Sequence, residues 1–303
     1  QGLKSSPNFF SQLMVSILNP LREHTRVYID DMISATKTFE QMLDALEEGW
    51  NALHANGLKL KPTKCFYCRP KLDILGWEID SNGKRPQKKK IQKLLDLSAP
   101  RNLHQLQSAL GMLNYYRNHI HRYAQRAYPL TCLLRKTPKF TLTEEAEKAW
   151  HELTSELANL YITNHPSKNG QLRIYSDASC DAIGAVLVEY PKGTNMDPTA
   201  ETPEEFPHGK VLAFCSKTLS PAERNYAIPD LELMAVVYAI EHFHTYLCKK
   251  FQVVTDHKAL EWFKNIKGSR SKRLQRYAMF LSQYCMDLLY RKGKLNVVAD
   301  CMS

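Results

Sequence analysis

The chain has 303 residues, enough for two or three compact units, and its 44% apolar and 24% charged composition is ordinary for a globular protein. No apolar run approaches the ~20 residues of a membrane span, no signal peptide opens the chain, and eight scattered cysteines form no disulfide framework, which together predict an intracellular protein away from membranes. The net charge of +10 and pI near 9.1 favour a polyanionic partner, nucleic acid first.

The first informative stretch is "TRVYIDDMIS", starting at Thr25. Val27 and Ile29 alternate with Tyr28, and this pattern predicts two strands of a hairpin with Asp30 and Asp31 at its tip. Adjacent carboxylates disfavour each other's ionisation and are not needed by a strand. The pair is therefore a candidate functional site.

The next elements are predicted from hydrophobic periodicity. Apolar residues at helical spacing predict a helix from Thr38 to about Asn56, with Thr38 as its cap and Gly57 as its stop. "LDILGWEIDSNGKRP" predicts two strands around a turn at 81–83. A lone CxxC at Cys65 and Cys68 has no partner motif, so buried free thiols are favoured over a zinc site.

The remainder changes character at about residue 168. Residues 87 to 165 have helical spacing almost throughout, with breaks at Pro100, Pro129 and Pro138. Strand patterns return at "QLRIYSDAS", "AIGAVLVEY", "KVLAFCSKTL", "FQVVTD" and "MDLLYRKG", with a strong helix from Asp230 to Leu247 and another over 271–284. The expected fold class is thus α/β (α+β), with a mixed sheet in the last 130 or so residues.

Basic residues are clustered, and the clusters are candidates for contacts with a phosphate backbone. A solvated surface remains the alternative for any single cluster. The candidate nucleic-acid-binding residues are Lys88, Lys89, Lys90, Arg270, Lys272, Arg273 and Arg276.

Four acids in the last third stand where strand ends and a helix start could bring them together: Asp177, Glu232, Asp256 and Asp300. Such a cluster is costly without cations, and Mg²⁺ is the natural hard ion for oxygen ligands. Two ions ~4 Å apart can activate a water and stabilise the leaving oxygen of a phosphodiester. Ordinary strand-end and helix-start acids are the alternative, since no spacing rule makes these four converge.

Several short motifs occur in order along the chain: "YIDD" with the upstream "QGLKSSPNFFSQLM", then "LGMLNYYRNHI" and "AYPLTCLL", and finally "SDASCDAIGAVL", "FCSKTLSPAERNY", "LELMAVVYAI", "TDHKAL" and "GKLNVVADCMS". Together they resemble reverse transcriptases of gypsy-type long-terminal-repeat retrotransposons over the whole chain. The first two are similar to the polymerase hairpin and a template-contacting helix, the next two to the thumb, and the last five to that group's ribonuclease H.

The resemblance implies a partial palm over 1–86, a helical thumb and linker over 87–168, and a ribonuclease H domain with a mixed five-stranded sheet and flanking helices over 169–303. It implies that Asp177, Glu232, Asp256 and Asp300 hold two Mg²⁺, replaceable by Mn²⁺, and hydrolyse the RNA strand of RNA/DNA hybrids. Asp30 and Asp31 would be two of three polymerase metal ligands. The third and the fingers are expected upstream of Gln1, so we expect no primer extension by these residues alone.

The implied partners are RNA/DNA hybrid and primer-template nucleic acid, with self-association or a larger polyprotein as the setting. The implied location is the cytoplasm, in a virus-like particle, or the nucleus. A non-catalytic retroelement remnant that binds nucleic acid or protein as a scaffold is the second hypothesis.

Overall fold

The computed structural model describes residues 4–120, 122–134, 140–158, 163–193, 209–255 and 271–291. The chain forms two compact units, residues 1–70 and residues 71–303. The three family segments expected from the resemblance, with boundaries at 86 and 168, remain a prediction.

The first unit contains two helices and a hairpin: α1 (Ser6–Leu18), β1 (Thr25–Tyr28), β2 (Asp31–Ser34) and α2 (Phe39–Ala55). The Thr38 hydroxyl accepts a hydrogen bond from the Gln41 backbone N–H at 3.3 Å, which caps α2 as predicted. Gly57 follows the helix with φ +70°, a conformation that glycine adopts without strain. Met14, Leu18 and Leu53 form the buried core of this unit.

The second unit opens with a three-stranded antiparallel sheet: β3 (Lys71–Ile74), β4 (Trp77–Asp80) and β5 (Gly83–Pro86). The sequence predicted two strands here, and this was wrong by one strand. The extra reversal lies at Leu75 and Gly76, whose φ values of 49° and 88° match a tight hairpin turn with two left-handed residues. Leucine is not a usual residue for that conformation, so the turn carried no sequence signal.

Helices then follow, as predicted: α3 (Lys88–Leu95), α4 (Leu103–Tyr115), a 3-10 turn (Arg117–His119), α5 (Tyr123–Arg126), α6 (Tyr128–Cys132) and α7 (Glu144–Ala158). Leu106, Leu113, Leu130, Trp150 and Leu153, each at most 2% exposed, fill the core between them. Pro129 stands in the first turn of α6, where the missing N–H costs nothing. Pro138 lies outside the described residues.

The remaining elements are β6 (Gln171–Ala178), β7 (Ala182–Tyr190), β8 (Lys210–Thr218), α8 (Ile228–Phe243), β9 (Phe251–Thr255), α9 (Lys272–Leu281) and β10 (Met286–Tyr290). The strands form one sheet in the order β10-β9-β6-β7-β8, with β9 parallel to β6 and to β10 and the other pairs antiparallel. The predicted mixed five-stranded sheet with flanking helices is confirmed.

Helix α8 covers one face of this sheet. Its Val236 and Ile240 share a core cluster with Leu172 and Ile174 of β6, while Tyr175 belongs to a separate cluster. The alternation along β6 follows from the two-residue period of a strand. It places α8 and the Tyr175 cluster on opposite faces of the sheet.

Two smaller expectations also have outcomes. Cys65 is half-buried and Cys68 exposed, so the prediction that both are buried thiols was wrong. None of the described helices combines the length and the apolar character needed to cross a bilayer.

Candidate active site

The first predicted catalytic acid, Asp177, is the next-to-last residue of β6, the central strand of the five. Its side chain is buried, with 6% exposure, and its register partner on β7 is Gly184. On the other side β9 runs parallel to β6 and ends at Thr255. The carboxyl ends of these two strands therefore lie at the same edge of the sheet.

The second acid, Glu232, is 3% exposed and lies in α8. The sequence placed Glu232 in the first turn, but the helix begins at Ile228, so it stands in the second. Next to Glu232, Leu231 packs in one cluster with Ala178 and Ile183. The start of α8 therefore lies at the end of the sheet where β6 ends, and Asp177 and Glu232 belong to the same region.

Two buried carboxylates at one sheet edge suit a hard cation, since burial of a charge is costly unless it is paired or coordinated to metal. Asp256 and Asp300 lie outside the described residues. Among the residues that the structure does describe, no group of three or more acids, histidines or cysteines is arranged to hold a metal. The convergence of all four acids therefore remains a prediction.

Arg273 lies on α9 and is partly buried against α8, whereas an arginine that contacts phosphates is expected to be exposed. Its guanidinium donates to the Asp230 carboxylate in the first turn of α8, and its Cζ lies 3.7 Å from the centroid of the Tyr226 ring. Only 27% of the Arg273 side chain is exposed. Arg273 thus joins α9 to the helix start that carries Glu232.

The other described basic candidates are exposed. Lys272 and Arg276 are exposed on α9, and Lys88, Lys89 and Lys90 are the first three residues of α3. Three lysines and no acid in a first turn are unfavourable next to the positive end of the helix dipole. A bound anion would relieve this repulsion. Arg270 lies outside the described residues.

In the first unit, the turn of the β1–β2 hairpin consists of Ile29 and Asp30, while Asp31 begins β2 opposite Tyr28. The expected Asp-Asp tip is therefore shifted by one residue. Val27 and Met32 pack on the helical core, which leaves Tyr28 and Asp31 on the other face, and both acids are exposed. Ile29 has φ 57°, which is strained for a β-branched residue and favours a functional turn.

Two basic residues of β5, Lys84 and Arg85, were not among the candidate nucleic-acid contacts, and their surroundings differ. Arg85 pairs with Glu78 and Asp80, whereas the Lys84 ammonium lies over the Trp77 ring, 4.8 Å from its centroid. Asn118 and His119 lie within the thumb-like "LGMLNYYRNHI", but the sequence assigned neither of them a functional role. Nothing in that pattern indicated that they would lie near Lys84.

Comparison with protein families identifies both parts of the chain. Residues 1–79 match the reverse transcriptase (RNA-dependent DNA polymerase) family, and residues 167–284 match the RNase H-like domain found in reverse transcriptase. The first part of the chain is therefore similar to a reverse transcriptase segment and the last part to a ribonuclease H-like domain, in the order that the resemblance implied.

Curated relatives contain both parts in one polyprotein. The chain is 31% identical over its full length to the retrovirus-related Pol polyprotein from transposon 297 and 30% identical to that from transposon 412, both of Drosophila melanogaster. It is 26% identical to the transposon Tf2-3 polyprotein of Schizosaccharomyces pombe. The chain spans only 27%, 23% and 22% of these three relatives.

Solved structures with the same fold include two of the foamy viral protease-reverse transcriptase. One, in complex with an RNA/DNA hybrid, has a TM-score of 0.79 at 21% sequence identity. The match covers 97% of this chain and 39% of the solved chain. Another, in complex with dsDNA, has a TM-score of 0.76 at 22% sequence identity. That match covers 97% of this chain and 60% of the solved chain. The fold is therefore that of a reverse transcriptase with a ribonuclease H-like domain.

Proposed function

We propose that the domain around Asp177 and Glu232 hydrolyses the RNA strand of RNA/DNA hybrids as part of a retroelement reverse transcriptase of the gypsy type. The observation that carries this proposal is the burial of both acids at one edge of the five-stranded sheet. An acid with a merely structural role at a strand end or helix start is normally exposed, because charge burial is costly.

The metal ligands would be Asp177 and Glu232 together with Asp256 and Asp300. Asp256 directly follows the last residue of β9, the strand beside Asp177. Oxygen donors of this kind fit Mg²⁺, with Mn²⁺ as a substitute. A pair of such ions supplies a nucleophile at neutral pH and stabilises the leaving oxygen of a phosphodiester.

The chain's own task is to present the hybrid to this edge. Lys272 and Arg276 on α9 would contact phosphates sequence-independently, and the lysines that begin α3 would extend the track. The 2′-hydroxyls of the RNA strand would distinguish it from DNA. Arg273 instead acts by positioning the start of α8, because its guanidinium already donates to Asp230.

The test is cleavage of a hybrid labelled on either strand, with Mg²⁺ or with EDTA. We expect the wild type to cut only the RNA strand and only with the metal, and Asp177→Asn and Glu232→Gln to abolish cutting. Asp181→Asn is the matched control: Asp181 belongs to the same motif, but its side chain is 42% exposed and pairs with Arg224 at 3.3 Å, so activity should persist.

The outcomes separate the two hypotheses. Equal cleavage by wild type and Asp177→Asn would contradict the assignment. Hybrid binding without any cleavage by the wild type would favour the non-catalytic scaffold.

For the whole protein we propose RNA-directed DNA polymerase activity on a primer-template, with Asp30 and Asp31 as two of its metal ligands. The exposed position of both acids, beside the strained Ile29, supports this. The setting would be a larger polyprotein, with self-association, in a cytoplasmic virus-like particle or in the nucleus. In a protein that includes the upstream polymerase segment, Asp31→Asn should abolish primer extension, and retained extension would contradict the role.

A further inference from the structure

A cavity of about 310 Å³ lies in the second unit, and neither Asp177 nor Glu232 lines it. It is bordered by β4 and β5, by the end of α4 with the Arg117–His119 turn, and by β8 and the end of α8. This volume lies at the lower end of the range for small-molecule sites. Residues that line it include Trp77, Lys84, Tyr115, Asn118, His119 and Tyr246, and we call it the Lys84 cavity.

The cavity contains a cation that lacks a counter-charge. Burial lowers the pKa of the Lys84 ammonium, and within the described part of the chain no carboxylate pairs with it. The ammonium lies over the Trp77 ring, 4.8 Å from its centroid. A partly desolvated ammonium without an anion is costly, and an anionic ligand would remove this cost.

Two further polar atoms of lining residues are buried and have no hydrogen-bond partner among the residues that the structure describes: Asn118 Oδ1 and His119 Nδ1. His119 is 3% exposed, and burial, together with the nearby Lys84 charge, lowers its pKa to about 3. Its imidazole is therefore neutral near pH 7 and has both a donor and an acceptor nitrogen. Buried polar groups normally have partners, so these two favour a ligand with hydrogen-bonding edges.

The rest of the wall is aromatic. Trp77 and Tyr115 are stacked with their ring centroids 5.5 Å apart, the His119 ring lies 4.4 Å from that of Trp77, and Tyr246 also lines the cavity. Flat aromatic walls favour a planar ligand, because aromatic groups gain both area burial and stacking energy.

We propose that the Lys84 cavity binds a small planar heterocycle that carries an anionic group, of about the size of a nucleoside monophosphate. The anionic group pairs with Lys84, the ring packs against the Trp77 wall, and Asn118 and His119 hydrogen-bond to the ring edge. This site does not depend on the proposed hydrolytic function, since it shares no residue with the acidic edge of the sheet.

The test is calorimetric titration of the 303-residue chain, in EDTA, with adenosine 5′-monophosphate as the probe. Adenosine lacks the anion and inorganic phosphate lacks the ring, so each should bind about tenfold more weakly or worse, as expected for the loss of a charged hydrogen bond or a ring contact. The Lys84→Met change keeps most of the side-chain volume and removes the charge. It should weaken binding of the monophosphate about tenfold and leave that of adenosine unchanged.

Lys168→Met is the matched control, because Lys168 is exposed in a loop and should leave every affinity unchanged. Since it removes an unpaired desolvated charge, Lys84→Met should also melt no lower than wild type. If Lys84→Met does not fold, Lys84→Gln, which also removes the charge and keeps a polar side chain, should weaken the monophosphate alone. Equal affinity of wild type and the variant for the monophosphate, or phosphate binding as tightly as the nucleotide, would overturn the proposal.

Discussion

Replacing Arg273 by glutamine examines a contact that joins two helices beside the candidate active site. The guanidinium donates to Asp230 and lies over Tyr226, and the paired side chains are only 27% and 20% exposed. Arg276, one turn later on α9, is exposed. The two arginines therefore allow a matched comparison between a buried contact and a surface charge.

The expected cost follows from the two interactions. A hydrogen bond to a charged group contributes about 1.5–3 kcal/mol, and a partly exposed cation–π contact about 0.5–1 kcal/mol. Solvent screening reduces the first of these for a pair with this much exposure. We therefore expect Arg273→Gln to lower the free energy of unfolding by about 2 kcal/mol, and Arg276→Gln to change it by less than ~0.5 kcal/mol.

The assay is a double-mutant cycle of Asp230→Asn and Arg273→Gln, followed by urea unfolding. We expect a coupling free energy of about 1 kcal/mol, since each single change removes the same ion pair. Cleavage of hybrid RNA should also slow in Arg273→Gln, because Asp230 lies two residues before Glu232. The salt dependence of hybrid binding should decrease in Arg276→Gln but not in Arg273→Gln.

Two results would refute this reasoning. A coupling free energy below ~0.3 kcal/mol would mean that the two groups act independently. A loss of salt dependence in Arg273→Gln equal to that in Arg276→Gln would restore Arg273 as a phosphate contact.

Three more outcomes are expected. His119 has a folded pKa of about 3 against ~6.5 unfolded, so between these values only the unfolded chain takes up the proton. As the pH is lowered below the unfolded pKa, the free energy of unfolding should decrease by up to ~1.4 kcal/mol per pH unit. In urea unfolding, His119→Phe should show a weaker dependence of this free energy on pH, and an equal dependence in the two proteins would contradict the prediction. Trp150→Ala should cost about 3–5 kcal/mol in urea unfolding, because Trp150 is 2% exposed; a loss below ~1 kcal/mol would mean that the site is loosely packed. Mg²⁺ should raise the Tm of the wild type by binding linkage but not that of Asp177→Asn, and equal shifts would remove Asp177 from the metal site.

Much of the fold could be predicted from the sequence because the signals are local. The cap at Thr38, the helical spacing around Trp150 and the alternation along β6 each depend on residues within a few positions of one another. The hairpin turn at Leu75 and Gly76 was missed for the same reason. A leucine in a left-handed conformation is maintained by the pairing of β3 with β4, which no local pattern reports.

The candidate acids were selected by their places at predicted strand ends and a helix start and then by resemblance to a family, and the order of the chain does not bring them together. Asp177 and Glu232 are separated by β7, β8 and a long connection. They lie at the same end of the sheet only because the start of α8 packs against the end of β6. Their burial favours a catalytic role over that of ordinary strand-end and helix-start acids, and it is set by tertiary packing.

The sequence by itself determined the periodicity, the net positive charge and the residues available for chemistry. Tertiary structure decided which charges are available to a partner. Lys84, Arg273 and Arg276 each contribute one positive charge to the net charge. In the folded chain Lys84 lines a cavity, Arg273 pairs with Asp230 and Arg276 faces solvent. The physical reason is that the free energy of a charge depends on its solvent exposure and on neighbours that are distant along the chain, and only folding sets both.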